Sequence, residues 1–169
     1  GGGILNLLNT FSGGGLSRES TAMLTLGLGR PVMLVPASWR GEAIGQKVAV
    51  SWSATRESVR AITDALPILK RAREVDILVF NARGQRVQHG AEPGADIGLY
   101  LARHGVRVTT HDDVTPVDVG NSLLSRAADL GSDMIVMGSF GHSRLRQLVL
   151  GGVSETVLES SPVPVLMSH

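Results

Sequence analysis

From residue 46 onward, short apolar runs alternate with longer segments in which apolar residues recur every three or four positions. The short runs are rich in Val, Ile, Leu and Met, a composition typical of strands buried on both faces of a sheet. The predicted strands cover residues 47–52, 76–80, 106–110, 134–137 and 163–167.

The longer segments have the period of amphipathic helices. The predicted helices cover residues 55–72, 95–104, 117–130 and 143–160. Pro67 lies inside the first helix, and we expect it to kink or shorten that helix. Alternation of strand and helix predicts an α/β fold: a Rossmann-like, doubly wound sheet of five parallel strands with helices on both faces. Right-handed crossovers favour the strand order 3-2-1-4-5.

Glycines follow the fourth strand, next to the point where the winding of such a sheet reverses and ligands bind. After Met137 come Gly138 and Gly141, whose spacing permits a tight turn without side chains. Gly151 and Gly152 could then open a helix whose free N–H groups, with the Ser154 hydroxyl, face a phosphate. A glycine turn with only a structural role explains the spacing equally well. Trp52, at the end of the first strand, could stack on a base or simply fill space.

Composition narrows the function classes. The chain has 169 residues, a formal net charge of +1 and no cysteine. Interspersed charges and an aromatic content of 4% argue against nucleic-acid binding. No apolar run approaches the roughly 18 residues of a membrane span, so we expect no membrane association. The lack of cysteine fits a reducing compartment, and we expect a cytoplasmic protein.

No side chains form a recognisable catalytic or metal-binding constellation in the sequence. Ser139 lies in Met-Gly-Ser-Phe-Gly, which does not have the spacing of a nucleophile elbow. The segment of His111, Asp112 and Asp113 is interpreted as a polar loop after the third strand. The chain also lacks a Walker lysine, so a weak ATP hydrolase is disfavoured. We therefore predict no catalytic residue, no metal ligand and no enzymatic activity.

Two segments resemble universal stress proteins: KVAVSWSATRESVRAITDALPIL from residue 47, and DMIVMGSFGHSRLRQLVLGGVSETVLESSPVPVLMSH from residue 133. Gly138, Gly141 and Gly151 match the family pattern Gly-x-x-Gly, nine residues, Gly, and Val153 and Ser154 match the positions that follow. The resemblance covers about residues 46–169. It implies a Rossmann-like fold, dimerisation through the last strand and, in some members, binding of ATP or AMP.

Two departures weaken the nucleotide interpretation. Gly152 stands where nucleotide-binding members carry Ser or Thr, and Ser53-Ala54-Thr55 stands where they carry Asp-Gly-Ser. A hydrogen bond from a neutral Ser53 is about half as strong as one to a carboxylate. We therefore expect a stress-response protein that acts by association, without catalysis and without an obligatory cofactor. The alternative is an ATP or AMP sensor whose site consists of Ser53, Met137, Gly138, Gly141, Gly151, Gly152, Val153 and Ser154.

The first forty residues repeat part of the chain's end. Residues 20–35 read as a helix followed by a strand over 31–35, and residues 31–34 align with residues 164–167 at an offset of 133. We interpret residues 1–40 as the tail of a truncated first repeat, and residues 45–169 as the universal stress protein domain. Strand 31–35 should pair antiparallel with strand 163–167, giving a homodimer or a tandem pseudo-dimer. A simple N-terminal hairpin or strap is the alternative.

Overall fold

The computed structural model describes residues 5–8, 27, 29–41, 43–82, 92, 94–139 and 152–169, with the backbone alone for residues 5–8. Within these residues seven strands form one sheet in the order β1-β2-β7-β6-β3-β4-β5. The strands are β1 (Leu5–Leu8), β2 (Val32–Val35), β3 (Lys47–Trp52), β4 (Glu74–Phe80), β5 (Val108–Asp113), β6 (Met134–Gly138) and β7 (Val165–Ser168). The helices are α1 (Arg56–Leu69), α2 (Ala95–Arg103), α3 (Val119–Asp129) and α4 (Gly152–Ser160).

The predicted five-stranded domain is confirmed. Strands β7, β6, β3, β4 and β5 are all parallel and follow the predicted order, read from the opposite edge of the sheet. Helix α1 begins after Thr55, whose side chain accepts from the Ser58 N–H in a capping box. It contains Pro67 and ends at Leu69, earlier than the predicted residue 72. Of the predicted helix 143–160, residues 143–151 lie outside the described residues.

The loop interpretation of His111, Asp112 and Asp113 is wrong. These residues are the last three of β5, and they pair with Leu78, Val79 and Phe80 of β4. The strand continues because His111 has a partner beneath it: its Nε2 lies 2.7 Å from Oδ1 of Asp76, a buried carboxylate. A polar residue in a strand was read as the end of that strand, although its side chain is satisfied within the fold.

The predicted pairing at the other edge is confirmed, and it occurs within one chain. Strand β2 pairs antiparallel with β7. Strand β1, which was not predicted, pairs parallel with β2 and extends the sheet to seven strands. Most of the helix predicted before β2 lies outside the described residues.

The hydrophobic core has one layer on each face of the sheet. One layer packs α1 and α2 residues such as Ile62 and Leu101 against the strands; the other packs α3 and α4 residues such as Leu123 and Val157. Strand β2 contributes to both layers, with Met33 on the first face and Val32 and Leu34 on the second. The N-terminal strand is therefore part of the core rather than a cover over it.

Candidate functional site

The winding of the sheet reverses between β3 and β6, as the sequence predicted. These strands are parallel neighbours, with Ser51 opposite Met137, so Trp52 and Gly138 end side by side at the carboxyl edge. Ser53 follows Trp52 directly and is exposed. Three of the predicted site residues (Ser53, Met137 and Gly138) thus lie at the crevice where ligands bind in open α/β sheets.

Gly138 is required by the packing of helix α1 against β6. A Cβ at this position would lie 2.6 Å from the carbonyl carbon of Glu57 and 2.6 Å from the backbone nitrogen of Ser58. These atoms belong to the first turn of α1, which cannot move away from a side chain as a flexible neighbour would. The absence of a Cβ therefore lets the end of β6 pass directly beneath the amino end of α1.

The turn between β3 and α1 is built from short polar residues. Ala54 has a φ of 52°, in the left-handed region that non-glycine residues rarely adopt. Ser53 Oγ lies 3.1 Å from Thr55 Oγ1, so the Ser53 hydroxyl already has a protein partner. Trp52 is partly buried and packs against the core layer of α1, which supports its role as a space-filling residue.

The remaining predicted site residues lie on or before α4. Gly152, Val153 and Ser154 form its first turn; Gly152 is exposed and Ser154 is buried. Among the described residues, no atom would lie within 4 Å of a Cβ on Gly152, so these residues leave room for a side chain there. Gly141 and Gly151 lie outside the described residues. The described residues thus place one part of the site at β3 and β6 and another at the start of α4.

A polar cluster that sequence reasoning missed joins the ends of β6 and β7 to α1. The Ser139 N–H and Oγ both donate to the Ser168 carbonyl oxygen, at 2.9 and 3.2 Å. Ser168 Oγ donates to Asp64 Oδ2 at 2.8 Å, and His169 Nδ1 lies 3.0 Å from the Ser139 carbonyl oxygen. Ser139 and Ser168 are almost fully buried. Asp64 lies off the apolar stripe of its helix, and no local pattern reveals a partner 104 positions away.

A second polar cluster lies near the outer edge, between β4, β5 and α3. Arg126 Nη2 lies 3.4 Å from His111 Nδ1, and Arg126 Nε lies 3.2 Å from Asp113 Oδ2. Because a guanidinium only donates, Nδ1 of His111 accepts and its Nε2–H donates to Asp76. An open cleft of about 420 Å³ adjoins this cluster, lined by Phe80, Val114, Thr115 and Ser122 among others.

The described part of the chain has neither a metal-ligand cluster nor a membrane-spanning helix. No three His, Cys, Asp or Glu side chains there could hold a metal ion together. None of its helices combines the length and the apolar character needed to cross a bilayer.

Comparison with known proteins identifies the family. Residues 86–169 match the model of the universal stress protein family. The chain belongs to that family. Its membership supports a role in stress response, and the fold described above is the universal stress protein fold.

Individual relatives agree with this assignment. Stress response protein NhaX of Bacillus subtilis is 38% identical over 55 residues, which cover 32% of this chain and 33% of that protein. A functionally unknown protein from Pseudomonas aeruginosa covers 98% of this chain and 62% of its own, at 16% identity and a TM-score of 0.67. The universal stress protein from Archaeoglobus fulgidus in complex with dAMP covers 74% of this chain and 98% of its own, at 14% identity and a TM-score of 0.57. The chain thus spans less than two thirds of the first two proteins.

Proposed function

We propose that this chain is a stress-response protein that acts by association of two universal-stress-type units, without turnover. In this proposal residues 1–40 are the tail of a first repeat, residues 45–169 are the second unit, and β2 and β7 join them as a pseudo-dimer. The single observation that carries the proposal is the register in which β2 lies on β7.

That register is reciprocal. The offset of 133 makes Val32, Met33 and Leu34 the counterparts of Val165, Leu166 and Met167. Val32 pairs with Met167, the counterpart of Leu34, and Leu34 pairs with Val165, the counterpart of Val32. Met33 pairs with its own counterpart, Leu166. This is the pattern of an isologous, two-fold contact, with the local axis passing through the Met33–Leu166 pair.

The neighbouring strands have matching directions. Leu5 of β1 pairs in parallel with Val32, and Ile135 of β6 pairs in parallel with Val165, the counterpart of Val32. Strand β1 is therefore parallel to β2 as β6 is to β7, although Leu5 and Ile135 are 130 positions apart rather than 133. A simple N-terminal hairpin would place its two strands antiparallel, whereas β1 and β2 are parallel. The match of the Pseudomonas protein to 98% of this chain, within a longer chain, also favours the tandem interpretation.

A pair of introduced cysteines tests this arrangement, since the natural chain has none. In the double variant Met33→Cys with Leu166→Cys the side chains face each other across an antiparallel pair. The Cα atoms of such a pair are about 4.5–5.5 Å apart, within the range that a disulfide spans. We expect oxidation to give a cross-linked monomer on a non-reducing gel.

The matched control is Met33→Cys with Val50→Cys. Val50 lies on the same face of the sheet but three strands away, about 14 Å, beyond the reach of a disulfide. A cross-linked dimer from the first pair would show that β2 docks on a second chain, and the absence of any cross-link would overturn the proposed register.

The proposed lack of turnover has a separate test. Incubation of the chain with Mg-ATP should release no phosphate above the rate in buffer alone.

A second candidate function is adenine-nucleotide binding. The observation that favours it is the placement of Ser53, Met137 and Gly138 at the crevice between β3 and β6, together with the likeness to a protein solved with dAMP. ATP or AMP would lie over Ser53 and Gly138, with its phosphate towards Gly141, Gly151 and the first turn of α4. The loss of a carboxylate at position 53 and of a hydroxyl at position 152 weakens such a site.

Thermal unfolding with and without AMP or Mg-ATP tests this function. Ligand at 100 times its Kd adds about 2.7 kcal/mol to the free energy of unfolding, which corresponds to a rise in Tm of about 5–10 °C for a chain of this size. No rise at millimolar nucleotide would overturn the candidate. Gly152→Ser with Ser53→Asp should then create the response, because position 152 has free space for a side chain.

A cytoplasmic location is part of the proposal, because a cysteine-free chain suits a reducing compartment. Fractionation of cells that express the full chain would test it.

A further inference from the structure

A continuous run of polar contacts connects the N-terminal segment to the first residue after β6. Arg60 Nη2 donates to the Gly29 carbonyl oxygen at 2.7 Å, and Arg60 Nε lies 3.8 Å from Asp64 Oδ2. Asp64 Oδ2 accepts from Ser168 Oγ at 2.8 Å. The Ser168 carbonyl oxygen in turn accepts from the Ser139 N–H at 2.9 Å. The run thus begins at Gly29, before β2, and ends at Ser139, the first residue after β6.

The contacts become more buried along this run. The Arg60 side chain is 48% exposed and that of Asp64 is 25% exposed. Ser168 is 1% exposed and Ser139 is not exposed at all. A hydrogen bond to a charged group is stronger than one between neutral groups, and it strengthens further away from water. The Asp64 carboxylate is therefore the point at which the solvent-facing half of the run is joined to the buried half.

A change at Asp64 would reach the buried half of the run through its contact with Ser168. Ser168 is the register partner of Gly138, so the residue that Asp64 holds lies beside the end of β6. Three protein contacts then define the backbone at Ser139: its N–H and its Oγ on the Ser168 carbonyl oxygen, and His169 Nδ1 on its own carbonyl oxygen. Residues 168 and 169 directly follow the three residues of β7 that pair with β2.

We propose that Asp64 and Ser168 are positioning residues for Ser139, the residue at which the chain leaves β6, and that they couple the docking of residues 29–35 to that position. The consequence for a ligand rests on the proposed binding of adenine nucleotide. When residues 29–35 are docked, Arg60 is held at Gly29, Asp64 is held for Ser168, and Ser139 leaves β6 in one direction. Association at β7 and binding at the switch point then favour each other by linkage.

Amide hydrogen exchange of the full chain tests the positioning role without any nucleotide. In Asp64→Ala and in Arg60→Ala we expect protection of the Ser139 amide to fall about five-fold, the factor that corresponds to the loss of one net hydrogen bond. Protection of the Val50 amide, in the central strand β3, should not change. Asp64→Asn keeps an acceptor for Ser168 and should restore most of the protection. Lys70→Ala, an exposed change at the end of the same helix, is the control.

Two results would overturn the positioning role. One is unchanged Ser139 protection in Asp64→Ala. The other is an equal fall in the protection of the Ser139 and Val50 amides, which would mean that Asp64 stabilises the whole fold rather than the backbone at Ser139.

The coupling is tested by adding AMP. In the wild-type chain AMP should raise the protection of the amides of residues 32–34 as well as that of Ser139, and in Asp64→Ala the response of residues 32–34 should be lost. A response of residues 32–34 that survives in Asp64→Ala would overturn the coupling. No response to AMP anywhere would overturn nucleotide binding and the coupling that rests on it, while the exchange data without nucleotide would still decide the positioning role.

Discussion

The two edges of the five-stranded unit formed by β7, β6, β3, β4 and β5 differ. At one edge β7 is covered by β2, whose residues Val32, Met33 and Leu34 are buried in both core layers. At the other edge β5 is the last strand of the described sheet, and its exposed positions carry polar residues such as Thr109 and Asp112. An unpaired edge invites association unless it is polar or covered. The β7 edge is therefore stabilised by apolar pairing, whereas the polar side chains of β5 disfavour its pairing with a strand of another molecule.

The largest expected effect comes from placing a charge in the covered edge. Met33→Asp would bury an unpaired carboxylate at the centre of β2, and we expect the free energy of unfolding to fall by about 4 kcal/mol. The same residue introduced at β5, in Thr109→Asp, should change it by less than about 0.5 kcal/mol, because position 109 is exposed. Urea denaturation of both variants measures the difference. Equal effects would remove the distinction between the two edges.

A smaller loss is expected where β6 meets α1, next to the covered edge. Gly138→Ala would force a Cβ against the backbone of Glu57 and Ser58, and we expect a loss of about 3 kcal/mol. Gly152→Ala is the control: its Cβ would enter free space, and Ala is the better residue in a helix. We expect that change to be neutral or slightly stabilising. Denaturant midpoints measure both, and a tolerated Gly138→Ala would contradict the close contact.

The next largest effect is expected at the polar edge, where Asp76 and His111 form a buried contact. Asp76→Ala would remove the carboxylate that accepts from His111 Nε2–H at 2.7 Å and would leave a largely buried imidazole without that partner. We expect the free energy of unfolding to fall by about 2 kcal/mol. Asp112→Ala, an exposed carboxylate on the same edge, should change it by less than about 0.5 kcal/mol. Similar losses in both variants would show that the position of the charge at this edge does not matter.

The smallest effect concerns a polar pair outside the core. Lys47 Nζ lies 3.3 Å from Glu74 Oε2 across β3 and β4, and both side chains are about half exposed. A double-mutant cycle with Lys47→Ala and Glu74→Ala should give a coupling of about 0.5 kcal/mol or less, which falls further at high salt. A coupling above about 1.5 kcal/mol would mean that exposed polar contacts stabilise this sheet as strongly as buried ones.

Much of the fold could be predicted because its signals are local. The bounds of β3 were predicted without error because its apolar run is bordered by Gln46 and Ser53. The end of β5 could not be predicted, since His111 belongs in the strand only because Asp76 lies beneath it. The glycine pattern located Gly138 at the switch point, but it could not reveal that the backbone of α1 packs against this residue.

The sequence by itself determined the periods of the strands and helices and the alternation that makes the sheet parallel, because each of these is written in neighbouring residues. It also showed the similarity of residues 31–34 to residues 164–167. Only the tertiary structure decided that β2 pairs with β7 in a reciprocal register within one chain, that β1 extends the sheet, and that Asp64 reaches Ser168. The β2–β7 and Asp64–Ser168 contacts join residues more than 100 positions apart, and the β1–β2 contacts join residues 27 positions apart. The energies of all these contacts depend on distances and burial that no local pattern encodes.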